Sequence, residues 1–123
     1  MEERKKILVV DDEPPVIRSL DFIFSREGYA VTKAEDGEKA IDLVKKSKPD
    51  LMFLDVMMPK KNGYEVCQEI KNNPSLKDIY IIILTAKGSE SDREKGISMG
   101  ADEVITKPFS PVKVVAKVKE LFA

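Results

Sequence analysis

The sequence contains no histidine. That absence excludes Ser-His and Cys-His catalysis, phosphorylation on a histidine of this chain, and nearly every zinc or iron site, since each needs an imidazole as base, acceptor or ligand. Tryptophan is also absent, and cysteine occurs once, as Cys67. A single thiol makes no internal disulfide, which fits a reducing compartment, and Cys67 falls inside an apolar helical pattern where a buried, unreactive side chain is expected. Long apolar runs are missing. The charged start, Met1 to Lys6, is followed by only four apolar residues before Asp11, too few for a signal-peptide core, and no later run spans a bilayer. An excess of one charge is missing too: 21 Lys and Arg face 22 Asp and Glu, for a net of −1. Nucleic acid and anionic membrane both select for a basic surplus, so neither is an expected direct partner. The expectation is a soluble, cytoplasmic protein whose chemistry rests on carboxylates, hydroxyls and lysines.

What is present is a regular alternation. The length of 123 residues and the 42% hydrophobic share suit one domain spanning 1–123 with one real core. Short apolar runs occur at Ile7–Val10, Ala30–Ala34, Leu51–Leu54, Ile79–Leu84 and Glu103–Thr106. Three are apolar on both faces, as strands between two helical layers must be, whereas the second alternates like an edge strand. Helical patterns lie between them. The first opens at Pro15, carries Val16, Leu20, Ile23 and Phe24 on one face, and stops at Gly28. The second follows Gly37 with Ala40, Ile41 and Val44. The third covers about Tyr64 to Asn72 with Val66, Cys67 and Ile70 inward. The fourth, about Ser89 to Met99, is mostly charged, with Ile97 and Met99 as its expected anchors. The last starts at the Ser110 cap before Pro111 and carries Val114, Val115, Val118, Leu121 and Phe122. Five strands alternating with five helices predict a doubly wound α/β fold, a parallel sheet with helices on both faces.

In such sheets ligands bind beyond the carboxyl ends of the strands. The first run ends in Asp11-Asp12-Glu13, the third in Asp55, the fourth in Thr85-Ala86 and the fifth in Lys107-Pro108. Carboxylates gathered on one edge repel unless a cation joins them. Lys107 supplies one cation. An all-oxygen ligand set with no imidazole or nearby thiol favours a hard divalent ion, Mg²⁺, as the other. A carboxylate held beside Mg²⁺ and an ammonium is set up as a nucleophile toward a phosphoryl group.

The sequence resembles the receiver domain of response regulators in two-component signalling, of the chemotaxis-regulator type. The matching stretches are Ile7 to Glu13, Leu54-Asp55-Val56-Met57-Met58-Pro59 with Asn62-Gly63, Leu84-Thr85-Ala86, and Gly100-Ala101-Asp102 leading to Lys107-Pro108-Phe109. The resemblance implies a flavodoxin-like sheet with strand order 2-1-3-4-5. It implies that Asp55 is the phosphoacceptor, that Asp12 is the direct Mg²⁺ ligand with Asp11 beside it, and that Asp55 and the Met57 backbone carbonyl complete the protein's share of the metal site. Thr85 matches the hydroxyl that turns to a phosphoryl oxygen, and Lys107 the lysine that pairs with it, through a cis Lys107–Pro108 bond. The donor is expected to be a histidine kinase or histidine phosphotransfer protein. The output surface is expected on the fourth helix, fifth strand and fifth helix. Such a domain assists its own aspartyl phosphorylation and dephosphorylation without being a conventional enzyme.

One position departs from the pattern. Three residues before Lys107, where many receivers carry an aromatic that swings inward, stands Val104, whose branched side chain has few rotamers. Other readings compete with these. A phosphohydrolase with an aspartate nucleophile needs a second Asp two residues on, where this chain has Met57, and a nucleotide-binding module needs a Gly-rich loop where this chain has Asp11-Asp12-Glu13. A receiver-shaped module that is never phosphorylated is the third alternative. Glu13 reads as a solvated charge near the first helix start, Asp36 as a turn or cap, and Gly63 as a turn residue using its φ freedom.

Overall fold

The computed structural model describes residues 4–58, 61–86 and 90–123. Five strands alternate with five helices: β1 Lys6–Val10, α1 Pro14–Arg26, β2 Ala30–Ala34, α2 Gly37–Lys46, β3 Leu51–Asp55, α3 Gly63–Lys71, β4 Tyr80–Thr85, α4 Glu90–Ser98, β5 Glu103–Thr106 and α5 Pro111–Leu121. All four strand pairings are parallel, and the sheet order is β2-β1-β3-β4-β5, as expected. The order reverses between β1 and β3, which is the switch point where such sheets bind ligands. Pro59 of the matched motif, Lys87, and the expected helix start at Ser89 lie outside the described residues.

The period-2 alternation of strand side chains divides the interior into two layers. Ile7, Val9, Leu51, Phe53, Ile82 and Leu84 face α1 and α5, meeting Leu20, Phe24, Val114 and Val118. Leu8, Val10, Met52, Leu54, Ile81 and Ile83 face the other way, meeting Ala40, Ile41 and Val44 of α2 and Val66, Cys67 and Ile70 of α3. Burying each such side chain contributes about 1.5–3 kcal/mol. Cys67 is fully buried, and burial pushes its thiol up to about 11, so it is inert as a nucleophile. Helix starts follow local chemistry. Asp36 accepts a hydrogen bond from the Lys39 N–H at the start of α2, and Ser110 does the same for Lys113 at α5. Asn62 and Glu65 form a reciprocal capping box at α3.

Two expectations need correction. Ile97 does not anchor α4: it is 48% exposed, and Met99 lies past the helix end. The buried residue of α4 is Gly96, because the helix comes so close to β5 that a Cβ there would sit 2.7 Å from Val104 Cγ2. Gly63 is not used for positive φ, which among the described residues belongs to Gly28 and Gly100. A Cβ at Gly63 would lie 2.2 Å from the Asp55 carbonyl oxygen, so its role is close approach of α3 to the end of β3.

At the amino edge of the sheet, Lys71 Nζ donates to the carbonyls of Lys77 and Ile79 and to Asp102 Oδ2 at 2.8 Å. The same Asp102 oxygen accepts from the Ile81 N–H. This staples the loops before β4 and β5 together, far from the edge that carries the acids.

Candidate functional site

Asp11 leaves β1 with its N–H donating to the Ala34 carbonyl, so the strand pairing continues one residue beyond the ladder. Its Oδ1 accepts from the Glu13 N–H at 2.9 Å. That Asx-type turn buries Asp11 completely and leaves Asp12 exposed. Asp55 ends β3, in register with Leu84, and is 5% exposed. Lys107 follows β5; its N–H donates to the Thr85 carbonyl at 2.7 Å, and the Lys107–Pro108 bond is cis, as expected.

Lys107 Nζ gathers the carboxylates. It lies 2.8 Å from Asp11 Oδ2, 3.0 Å from Glu13 Oε1 and 3.2 Å from Asp55 Oδ1. The contact to Asp11 is an ion pair off the hydrogen-bond direction, and Asp11 Oδ2 accepts no hydrogen bond among the described residues. One carboxylate oxygen each from Asp11, Asp12, Glu13 and Asp55 lies within 4.8 Å of the others. A buried oxygen without a donor, inside an all-carboxylate cluster, fits a hard divalent cation such as Mg²⁺.

The electrostatics follow from this crowding. Burial first, and then the Asp11 charge, push the Asp55 carboxyl up to about 6 against the opposing pull of Lys107. Burial alone would lower the Lys107 ammonium, but its contacts with Asp11 and Glu13 overcome that and hold it above its ordinary range. Asp55 is thus a partly desolvated carboxylate whose charge is supported by one ammonium.

Asp11, Asp12, Asp55 and Lys107 therefore come together as the sequence predicted. Thr85 is buried at the end of β4, the strand next to Asp55, and a cavity of about 230 Å³ beside it is walled by Val56, Tyr64, Asp92 and Lys95. The Met57 side chain is exposed and points to no role of its own. Val104 is buried against Gly96, with no aromatic beside the acceptor strand from this position. The residue underweighted by sequence is Glu13. It is solvent-facing as expected, yet bonded to the central ammonium, and the only sequence signal was its place directly after Asp11-Asp12.

Residues 7–119 match the family described as response regulator receiver domain. Among solved structures, a protein assigned as a response regulator in Chloroflexus aurantiacus J-10-fl is 34% identical with a TM-score of 0.90, over 96% of this chain and 97% of that one. The Vibrio cholerae chemotaxis protein CheY4 is 27% identical with a TM-score of 0.90, over 96% and 98%. The BeF3-activated N-terminal receiver domain of Klebsiella pneumoniae RstA is 27% identical with a TM-score of 0.86, over 94% and 97%. No helix among the described residues is long and apolar enough to cross a membrane. A parallel sheet in receiver order, an acid cluster at its switch point and a family match over nearly the whole sequence place the chain in the response regulator receiver domain family of two-component signalling.

Proposed function

We propose that Asp55 is the phosphoacceptor of this receiver and that it works with Mg²⁺ held by Asp12, Asp11, Asp55 and the Met57 backbone carbonyl. The observation that carries this reading is the buried Asp55 carboxylate, 3.2 Å from Lys107 Nζ and inside a four-carboxylate cluster. In the transfer, an Asp55 oxygen forms a bond to phosphorus while the bond from phosphorus to the donor's leaving atom breaks. The electron pair departs on that atom, an imidazole nitrogen for a phosphohistidine or an acetate oxygen for acetyl phosphate. Bound Mg²⁺ neutralises charge on the transferring oxygens. Lys107 does the same from the other side, and Thr85 at the end of β4 offers a hydroxyl to a phosphoryl oxygen once the group is in place.

The donor is a histidine kinase or histidine phosphotransfer protein, met in the cytoplasm, a reading supported by the match to the receiver family. The chain is a phosphoacceptor that assists its own modification and hydrolysis, and its output surface is α4, β5 and α5. The test is incubation with acetyl phosphate and Mg²⁺, read by intact mass. One phosphoryl group is expected on the wild type and none on Asp55→Asn or in the presence of chelator. Labelling of Asp55→Asn at the wild-type rate would reassign the acceptor.

A further inference from the structure

Glu13 takes no part in the transfer, yet its carboxylate is committed to the site. It occupies the N-cap position of α1 and makes no cap bond there, where Pro14 and Pro15 offer no N–H. Its Oε1 instead reaches Lys107 Nζ at 3.0 Å. An ammonium has three donors, and this one faces three carboxylates: it is hydrogen-bonded to Glu13 and Asp55 and paired with Asp11 off the hydrogen-bond direction. The three are not equivalent. Asp11 is fully buried and Asp55 nearly so, whereas the Glu13 side chain is 60% exposed. A phosphoryl group on Asp55 brings anionic oxygens that need a donor. Of the two carboxylates that keep their charge once Asp55 is esterified, Asp11 and Glu13, only Glu13 can release Lys107 without leaving a buried charge unpaired, because its carboxylate is already hydrated.

We propose that Glu13 is a built-in competitor for Lys107, holding one ammonium donor before phosphorylation and yielding it to a phosphoryl oxygen afterwards. This rests on the assignment of Asp55 as acceptor. Removing the competing carboxylate frees the donor in advance and deletes a negative charge from the path of an anion. Because the pair is largely exposed, the effect is modest, at most about fivefold in affinity for a phosphoryl mimic, or ~1 kcal/mol at 1.36 kcal/mol per tenfold.

The experiment is calorimetric titration of the full chain with beryllium fluoride at saturating Mg²⁺, alongside a separate Mg²⁺ titration and a melting curve for each variant. Glu13→Gln is expected to bind the mimic two- to fivefold more tightly, with a smaller loss of Mg²⁺ affinity than Asp12→Ala suffers. Glu13→Asp keeps the charge but is one methylene shorter, so a contact mechanism makes it resemble Gln, whereas a purely long-range charge effect makes it resemble wild type and overturns the proposal. Weaker binding of both Mg²⁺ and mimic by Glu13→Gln would make Glu13 a cation ligand and also overturn it. Wild type that binds the mimic no differently from either variant defeats this inference alone. Wild type that does not bind the mimic at all defeats the acceptor assignment with it.

Discussion

Lys107 Nζ lies 3.2 Å from Asp55 Oδ1 although 52 positions separate the residues and β4 runs between their strands. The reach is possible because the Lys107 N–H is tied to the end of β4 through the Thr85 carbonyl, which aims the chain after β5 back across the sheet edge. The acceptor's charge, the lysine's position and the end of β4 are thereby linked in one short path.

The first prediction concerns pH. The folded Asp55 carboxyl is held near 6 against an ordinary value of 3.8, chiefly by burial. A carboxyl with a raised folded pKa keeps its proton in the native state while the unfolded chain has lost it. Stability therefore falls as pH rises through the interval from 3.8 to about 6, and the loss is complete above it. In chelated buffer, Asp55→Asn is expected to be more stable than wild type by about 1–3 kcal/mol at pH 7.5, with the gain fading toward pH 4. Urea unfolding of both proteins across that range checks it, and a pH-independent difference would contradict a titrating, buried Asp55 as its cause.

The second concerns the cation. Mg²⁺ at 100 times its dissociation constant should stabilise the wild type by about 2.7 kcal/mol if it binds only the folded state. Asp12→Ala should lose more of this than Thr85→Ala, because the first removes a charged oxygen from the cluster while the second leaves all four carboxylates in place. Calorimetry is the suitable readout, since there is no tryptophan to report. Equal losses would count against the assignment of Asp12.

A third prediction tests the close approach of Gly96 to Val104. Gly96→Ala gains up to about 1 kcal/mol of helix propensity, yet its new methyl would lie 2.7 Å from Val104 Cγ2. Net destabilisation of about 1–3 kcal/mol is expected. Adding Val104→Ala should recover part of it, giving a coupling above about 0.5 kcal/mol in a double-mutant cycle. Strict additivity would show that the two residues do not bear on each other.

The fourth addresses output. Among the described residues of α4 only Gly96 is buried, so the helix forgoes the apolar burial that Leu20 and Phe24 give α1. Amides of Glu90 to Ser98 should exchange faster than those of α1, and beryllium fluoride should change protection in α4 and β5. Changes confined to α1 and α3 would move the output face elsewhere.

The strands and the acid edge were legible because they obey simple rules. Leu51 to Leu54 is apolar on both faces since both faces are covered, and Asp11, Asp55, Thr85 and Lys107 fall at the carboxyl edge of the sheet, beyond the apolar runs. Illegible features were those in which the absence of a side chain does the packing. Gly96 carries no hydrophobic signal, whereas Ile97, which does, is turned to water. Gly63 looked like a turn residue because nothing in sequence reveals the Asp55 carbonyl pressed against it. Glu13 was seen as a surface charge, and it is one; its bond to Lys107 spans 94 positions and has no local trace.

The Lys71 staple makes the two ends of α4 mechanically unequal. Gly100 packs on the Lys71 methylenes, the Ala101 N–H is bonded to the Gly96 carbonyl, and Asp102 is held by Lys71 and by the Ile81 N–H. The carboxyl end of the helix is thus pinned to the amino edge of the sheet, while its amino end stands near Thr85 at the opposite edge. A displacement of α4 on activation would be expected to be smallest at Ser98, beside these bonds. The amino end carries the acidic residues Glu90 and Asp92. In the proposed switch, movement of that end would change where negative charge sits on the surface.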